Sequence, residues 1–434
     1  MVKYLIIGAG LSGLSAAYKL EEKNENYLVI ESESKVGGLC KTHSEHGFYF
    51  DYTGHLLFFK KKKIKEFVRD ILVDNIIEDI RRKAAIYIKN RYIQYPFQQN
   101  LYGLPTEIIQ ECLVGFIEAY YKNEHLPPTK YNSFEDWILA NLGEGIAKHF
   151  MFPYNKKLWT VDPSKMTCEW MGKYVPKPNL EEVIRGSISM DKSKVGYNVT
   201  FSYPKLGGIQ VLPEGIAKKV RNIKLDERII EIDLENKIVL STKGEYEYQY
   251  LISSMPLKKF ISIIKNVDRS IISAGQKLNN VSVLNFNLGI DRPNISDKHW
   301  VYLPEQKYSL YRVGFPMNFS PNVAPSGKSS LYAEIPYRQE WNIDKKAFIN
   351  KGIEDLIDIG ILLNRDEILV NKVIDIEYAY VIYDHQYSIN VQKIKKYLNS
   401  KDVYTIGRYG NWEYTSMEDA ILNGFNIVKN LTNV

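Results

Sequence analysis

The chain has 434 residues, of which 45% are hydrophobic and 25% charged, and carries a formal net charge of +6. That length accommodates two or three domains around a large core. No dense basic stripe with interleaved aromatics accompanies the small positive balance, so nucleic acid is not an expected partner. Cys40, Cys112 and Cys168 are far apart, odd in number and show no C-x-x-C. A disulfide framework or a metal site is therefore not expected, and a reducing compartment fits. No stretch approaches the ~20 apolar residues that span a bilayer. The first apolar run leads straight into a glycine loop and reads as a strand, not a signal peptide. The expectation is a cytoplasmic protein with no membrane partner.

Tyr4–Ile7 is a short apolar run of the kind that forms a buried parallel strand. Gly8, Gly10 and Gly13 follow at G-x-G-x-x-G spacing, and Leu11, Leu14, Ala17 and Tyr18 then recur on one helical side. A second apolar run, Tyr27–Ile30, ends at Glu31. This is a βαβ dinucleotide fingerprint in its full context; the competing reading is a tight turn that binds nothing. The glycines let backbone approach a pyrophosphate at a helix N-terminus, and Glu31 is placed to accept from ribose hydroxyls. The doublet Gly37-Gly38 favours flavin over nicotinamide, again by close backbone passage. Phe48–Tyr52 alternates as a strand and ends at Thr53-Gly54-His55. His55 reads either as a structural hydrogen-bonding residue or, beside a glycine at the end of a cofactor-lining strand, as part of an active site.

Residues 62–150 read as mainly helical. Lys60–Lys63 with Lys65 is a solvated helix start. Ala85–Ile93 alternates as a hairpin. In Tyr95-Pro96-Phe97-Gln98 the proline forbids a helix interior, which leaves an irregular corner suited to binding a base. Ile108, Ile109, Cys112, Leu113, Phe116, Ile117 and Tyr120 recur at helical spacing, and Ser133–Asp136 opens the next helix with a capping box. Residues 150–180 are aromatic and loop-rich. Leu212–Val220 is helical, and Arg228–Asp233, Lys237–Ser241 and Tyr246–Ser253 form a β-meander returning to the first sheet. Val281–Leu288, Trp300–Leu303, Leu310–Phe315 and Ser330–Ile335 suggest a second, mostly antiparallel sheet. Lys346–Gly360 is a helix and Lys372–Val381 a strand. Val403–Arg408 is a strand ending in glycine, Tyr409–Tyr414 a loop, and Met417–Leu431 a helix whose N-terminus suits a flavin pyrimidine. The fold class is α/β: a Rossmann-type FAD-binding domain with a helical cap and a mostly antiparallel sheet domain. The expected boundaries are 1–60, 205–275 and 380–434 for the FAD domain, 61–204 for the helical substrate domain, and 276–379 for the sheet domain.

The chain resembles the flavin-dependent UDP-galactopyranose mutases, in particular their eukaryotic branch, along nearly its whole length. The segments that carry this are GAGLSGLSAAYKL at Gly8, VGGL at Val36, TGH at Thr53, YPFQQN at Tyr95, and FEDWILANLGEGIAKHFMFPYNKKLW ending at Trp159. KMTCEW before Gly172, WVYLPEQKYSLYR ending at Arg312, and GRYGNWEY ending at Tyr414 complete the set. The resemblance implies FAD, active when reduced, with NADPH or NADH as candidate reductants. It implies interconversion of pyranose and furanose forms of a UDP-sugar, UDP-galactose first, through a reduced-flavin N5–sugar adduct. It also implies galactofuranose supply to cell-surface glycan biosynthesis. By the same resemblance the cofactor contacts are Gly8, Gly10, Leu11, Ser12, Gly13, Glu31, Ser32, Gly37, Gly38, Leu39, Gly54, His55, Gly407, Arg408 and Met417. Phe97, Gln98, Phe150, Tyr154 and Asn155 form the uridine pocket, with Trp159 beside it. Tyr302, Tyr387, Tyr414 and Arg312 hold the diphosphate, with Tyr95 nearby and Trp300 opening the W-x-Y pair. Asn198 faces the sugar, and His55, Arg312 and Arg408 are the catalytic candidates.

Two positions depart from the family pattern. Tyr174 stands where the family presents a mobile-loop arginine, with Lys173 as a neighbouring point charge that lacks the planar fork. Thr53 replaces the glycine before Gly54. Two other readings stay open: an FAD-dependent amine oxidase or protoporphyrinogen oxidase-like oxidoreductase, and a non-enzymatic binder resembling Rab GDP-dissociation inhibitors. The oxidoreductase has no need of Gln98, Tyr154 and Arg312 as a UDP cradle, and the binder has no need of Glu31 or Gly407-Arg408.

Overall fold

Val2–Ile7 forms the middle of a parallel sheet because its apolar residues are sandwiched on both faces; Leu5 and Ile6 are fully buried. It pairs in parallel with Tyr27–Ile30 on one side and Gly244–Ser253 on the other. Val403–Thr405 adds a further parallel strand beside Gly244–Ser253. Ile229–Asp233 and Ile238–Ser241 extend the sheet as the expected antiparallel meander. The computed structural model describes residues 1–124, 131–168, 170–171, 175–190 and 199–432. Asn198, Lys173 and Tyr174 lie outside the described residues.

Helix Leu11–Glu22 crosses from the first strand to the second, and the C-terminal helix Met417–Thr432 packs along it. The crossing depends on Gly13. A Cβ there would lie 2.0 Å from the Gly8 carbonyl oxygen, so only glycine lets helix and strand end meet.

The second sheet runs in the order Ile368–Val381, Asn280–Ile290, Ser329–Tyr337, Arg312–Gly314, Trp300–Tyr302, Ala84–Ile88, Arg91–Gln94. All neighbours are antiparallel except Trp300–Tyr302 with Ala84–Ile88. The Ala84–Gln94 hairpin thus leaves the helical segment around it and joins this sheet. Side chains alternate between two faces along Asn280–Ile290. Leu284, Phe286 and Leu288 pack in one core with Ile353 and Leu356 of helix Lys345–Asp358. Val283 faces the other way, with Ile374, Ile376 and Tyr311, toward Leu39, Tyr52 and Tyr154. The sheet therefore roofs the space below the glycine loop.

Helices Thr106–Glu124 and Phe134–Ile146 pack together as the cap. Ser133 and Asp136 form the expected capping box: Ser133 Oγ accepts from Asp136 N and Asp136 Oδ2 from Ser133 N, both at 3.1 Å. A π-type turn at Ala147–Met151 then leads into the short helix Phe152–Trp159.

Gly13→Ala must displace the first strand from its helix, at a cost of about 1–3 kcal/mol. The expected result is a lower melting temperature together with a lower flavin-to-protein absorbance ratio. Full flavin retention would contradict the role given to this contact.

Candidate functional site

A cavity of about 880 Å³ runs from the glycine loop to an aromatic cleft under the second sheet. At its first end Gly8, Gly10, Leu11 and Ser12 form the wall. Gly10 caps helix Leu11–Glu22 without a side-chain hydrogen bond, so the first-turn N–H groups have no intrahelical acceptor. That is an anion seat. Glu31 braces the loop: Oε2 accepts from Ala9 N at 2.7 Å and Oε1 from Glu33 N at 3.0 Å. It also lines the cavity, as do Ser32, Gly37, Gly38 and Leu39. Gly10 and Gly38 close the cradle; a Cβ on Gly38 would stand 3.3 Å from the Gly10 Cα.

Thr53-Gly54-His55, Gly407, Arg408 and Met417 line the same cavity, Gly407 so close to Ser12 that a Cβ there would lie 2.3 Å from Ser12 Oγ. Gly54 passes so close to the second sheet that a Cβ would lie 1.9 Å from the Tyr332 hydroxyl, which accepts from Trp300 Nε1 at 2.6 Å. Thr53 adopts φ +69°, a conformation disfavoured for a β-branched residue. Threonine here carries strain of about 1–3 kcal/mol that a glycine would avoid. The far end of the same loop is tied down by Glu418, which accepts from Lys60 N and Lys61 N at 3.0 and 2.7 Å. His55 is half-buried in the cavity wall, and its buried Nδ1 has no hydrogen-bond partner among the described residues. Burial, followed by the positive charge of Arg408, depresses its pKa to about 4, so it is neutral at physiological pH. An uncapped helix start, a side-chain-free cradle and a neutral imidazole with an unused buried nitrogen fit a flavin dinucleotide.

The cleft beyond is built of stacked rings. Phe97, Phe150 and Tyr154 form one continuous stack, with centroids 4.9 and 5.1 Å apart and planes within 7°. Tyr95 stacks on Tyr302 at 4.8 Å, and Tyr302 meets Tyr154 edge-on at 5.8 Å. Asn155 donates to the Met151 carbonyl at 2.8 Å and accepts from Trp159 Nε1 at 3.3 Å. Gln98 Nε2 donates to the Pro176 carbonyl at 3.0 Å.

Three arginines enter this aromatic space. Arg312 is paired bidentately with the fully buried Glu334 through Nε and through Nη2, the latter at 2.8 Å. Burial opposes the charge on Arg312, and Glu334 more than restores it, holding its pKa above the ordinary guanidinium value. Arg408 lies 4.5 Å from the Tyr414 ring centroid and donates to the Thr415 and Ala379 carbonyls at 3.1 and 3.0 Å. Arg82 donates to the Tyr302 hydroxyl at 2.7 Å and sits over the rings of Tyr95 and Trp300 at 4.9 and 5.2 Å.

Most expected site residues meet around this cavity. Tyr95, Gln98, Phe150, Tyr154, Asn155, Trp159, Trp300, Tyr302, Arg312, Arg408 and Tyr414 all line it. Three do not. Tyr387 is taken by the core: its hydroxyl donates to the Trp412 carbonyl at 2.6 Å and its ring packs on Tyr383. Phe97 is fully buried behind Phe150, so it backs the stack without forming the wall. Gly13 serves helix–strand packing. Arg82, Tyr311, Glu334 and Tyr380 also line the cavity and were not singled out in the sequence. Glu334 had a legible signal, a lone acid inside the apolar strand Ser329–Tyr337. Arg82 was hidden by its neighbours Arg81 and Lys83, which look like a solvated charge run. Among the described residues no group of three or more His, Cys, Asp or Glu is placed to hold a metal ion. No helix among them is long and apolar enough to cross a membrane.

The family described as flavin containing amine oxidoreductase matches residues 11–431. A crystal structure of reduced UDP-galactopyranose mutase superposes with TM-score 0.93 at 27% identity, covering 100% of this chain and 94% of that one. That neighbour bears out the resemblance drawn from the motifs. Protoporphyrinogen oxidase 2 of Arabidopsis thaliana is 20% identical over 254 residues, 52% of this chain and 49% of that protein. UDP-galactopyranose mutase of Mycoplasma genitalium is 24% identical over 160 residues, 36% of this chain and 39% of that protein. The chain thus spans half or less of the length of these curated relatives.

His55 gives the fold a pH dependence of definite sign. Its pKa is about 4 when folded and 6.5 as a free side chain, so below 6.5 the unfolded chain takes up a proton that the folded chain refuses. The contribution is complete above that value and is lost as pH falls toward 4. The expected loss is about 2 kcal/mol at pH 5. Urea midpoints at pH 7 and pH 5 read it, and His55→Asn should remove a loss of that size. Equal acid sensitivity in the variant would contradict the assignment.

Proposed function

The chain belongs to the flavin containing amine oxidoreductase family, and from that premise we propose that it isomerises a UDP-sugar between pyranose and furanose forms, UDP-galactose being the expected substrate. One observation carries this reading: a ring-stacked, amide-bearing pocket and an arginine–tyrosine cluster open onto the same flavin-sized cavity. Amine and porphyrinogen oxidation have no need of such a polar, cationic cleft.

Phe150, Tyr154 and Asn155 take the uracil by stacking and amide hydrogen bonding, backed by Phe97 and flanked by Gln98 and Trp159. Arg312, Tyr302, Tyr95 and Tyr414 hold the diphosphate, and Arg82 adds a second, half-buried guanidinium. Gly8 to Ser12, Glu31, the Gly37-Gly38 turn and Gly407-Arg408 hold FAD. When bound and reduced, FAD would supply nucleophilic chemistry toward the sugar, with NADPH or NADH as candidate reductants. The chain's own residues do the rest. Arg312 and the tyrosine hydroxyls take up the charge on the departing diphosphate oxygen and keep UDP within reach for its return. The aromatic walls exclude water that would otherwise hydrolyse the activated sugar. His55, neutral and half-buried, offers its buried Nδ1 as a hydrogen-bond partner at the face where cofactor and sugar meet. Arg408 is anchored to the Thr415 and Ala379 carbonyls beside that face. Ring reclosure through a different hydroxyl makes the overall reaction redox-neutral. The reading implies a cytoplasmic enzyme that supplies galactofuranose for cell-surface glycans.

A second reading follows from the family itself: an FAD-dependent oxidase of the amine or protoporphyrinogen type. One assay separates the two. Dithionite-reduced protein should interconvert UDP-galactofuranose and UDP-galactopyranose on a chromatogram, and oxidised protein should not. Stoichiometric oxygen uptake with peroxide release, and no isomerisation, would establish the oxidase instead. For the site, Arg312→Ala removes a charge-assisted contact of about 1.5–3 kcal/mol and should raise the UDP dissociation constant more than about tenfold. An unchanged constant in calorimetry would remove Arg312 from the diphosphate subsite.

A further inference from the structure

The segment between strands Trp300–Tyr302 and Arg312–Gly314 has a cleft residue at each root, Tyr302 and Arg312. It is clamped from two sides. On the outer side Asp355 Oδ2, on helix Lys345–Asp358, accepts from Ser309 N and Ser309 Oγ, both at 2.6 Å. Tyr308 donates to Asp358 on the same helix at 2.9 Å. On the inner side Lys157 Nζ donates to the carbonyls of Leu303, Glu305 and Leu310 at 2.8, 2.6 and 3.2 Å. Gln306 Nε2 returns the contact by donating to the Pro153 carbonyl at 2.8 Å.

Lys157 and Pro153 belong to helix Phe152–Trp159, which also carries Tyr154, Asn155 and Trp159. One ammonium therefore spans two structures. The helix holds the base-side residues, and the hairpin holds the diphosphate-side residues. An ammonium has three N–H donors, and here each meets a carbonyl; a neutral amine has only two. Burial pushes the Lys157 pKa down to about 7, against the opposing pull of Asp355 and Glu305. A charge buried for the sake of three backbone oxygens is an expensive arrangement unless their position matters.

We propose that Lys157 is a positioning residue that fixes the spacing between the base pocket and the diphosphate residues. The inference rests on the nucleotide-sugar reading above. A ligand that engages both halves gains from a spacing already set, because the second contact then forms without further ordering. A ligand that engages one half gains nothing from it. Lys157 thus acts on the joining of the two subsites and touches neither ligand half.

Calorimetric titration of the flavin-loaded protein with UDP and with uridine tests this directly. For Lys157→Met the UDP dissociation constant should rise about tenfold or more, while that for uridine stays within about twofold, at unchanged flavin content. Lys157→Arg, which keeps charge and several donors, should recover most of the UDP affinity. Equal losses for both ligands would mean general damage to the pocket and would overturn the role, as would no loss for either. Should Lys157→Met fail to fold, Gln306→Ala cuts the reciprocal tie and should shift UDP but not uridine, in the same direction and by less; equal shifts again overturn the proposal. Wild-type protein that binds neither ligand would overturn the nucleotide-sugar reading and the role built on it. Wild-type protein that binds UDP with an affinity indifferent to Lys157→Met would overturn the role alone.

Discussion

The cleft depends on burying positive charge. Arg312 and Arg82 lie among aromatic rings where a lone guanidinium would be several kcal/mol out of place. For Arg312 the compensation is Glu334, fully enclosed and paired in a bidentate fork. That pair is possible because Arg312 and Glu334 are register partners on adjacent antiparallel strands. For Arg82 the compensation is the face of Trp300 and Tyr95 and the hydroxyl of Tyr302. Once Glu334 has taken two nitrogens of Arg312, the guanidinium is oriented before any ligand arrives. Pre-orientation of this kind lowers the ordering cost of binding and of the reaction that follows.

The sheet that carries this pair was legible in part. The runs Val281–Leu288 and Ser330–Ile335 read as strands, and Ile368–Val381 proved longer than the expected Lys372–Val381. The dinucleotide half was almost entirely readable, because a glycine spacing, two apolar runs and a terminal acid are local signals. The meander and the C-terminal strand and helix were readable for the same reason. What escaped was nonlocal. Nothing within Ala84–Gln94 says that the hairpin pairs with Trp300, more than two hundred residues on. Without that pairing Arg82 looks like one charge among several on a solvated turn.

Tyr387 illustrates the opposite failure. A motif-based correspondence brings a tyrosine to the diphosphate, but here its hydroxyl is used on the Trp412 carbonyl. The Trp412 carbonyl needs a donor, and the Tyr387 hydroxyl supplies it. Tyr380 stands closer to the cleft, stacked on Tyr414 and bonded to Tyr311 at 2.9 Å. A hydroxyl-lined wall can be assembled from several positions on neighbouring strands, so its tyrosines are less tightly prescribed than a bidentate arginine.

The charge balance of the inner cleft narrows what it can hold. At the aromatic end Arg312 is paired with Glu334, while Arg82 and Arg408 meet hydroxyl, carbonyl and ring partners. On the nucleotide-sugar reading proposed above, a diphosphate placed among these three guanidinium groups would meet opposite charge. The tyrosine hydroxyls add donors without adding charge, so under the reading proposed above they would follow a departing diphosphate without gripping it too firmly to return. An enzyme that must release UDP from a bond and then restore that bond needs moderate, neutralising contacts. A cleft with the same shape but more lysines would hold UDP in its separated state and stall the second half of the exchange.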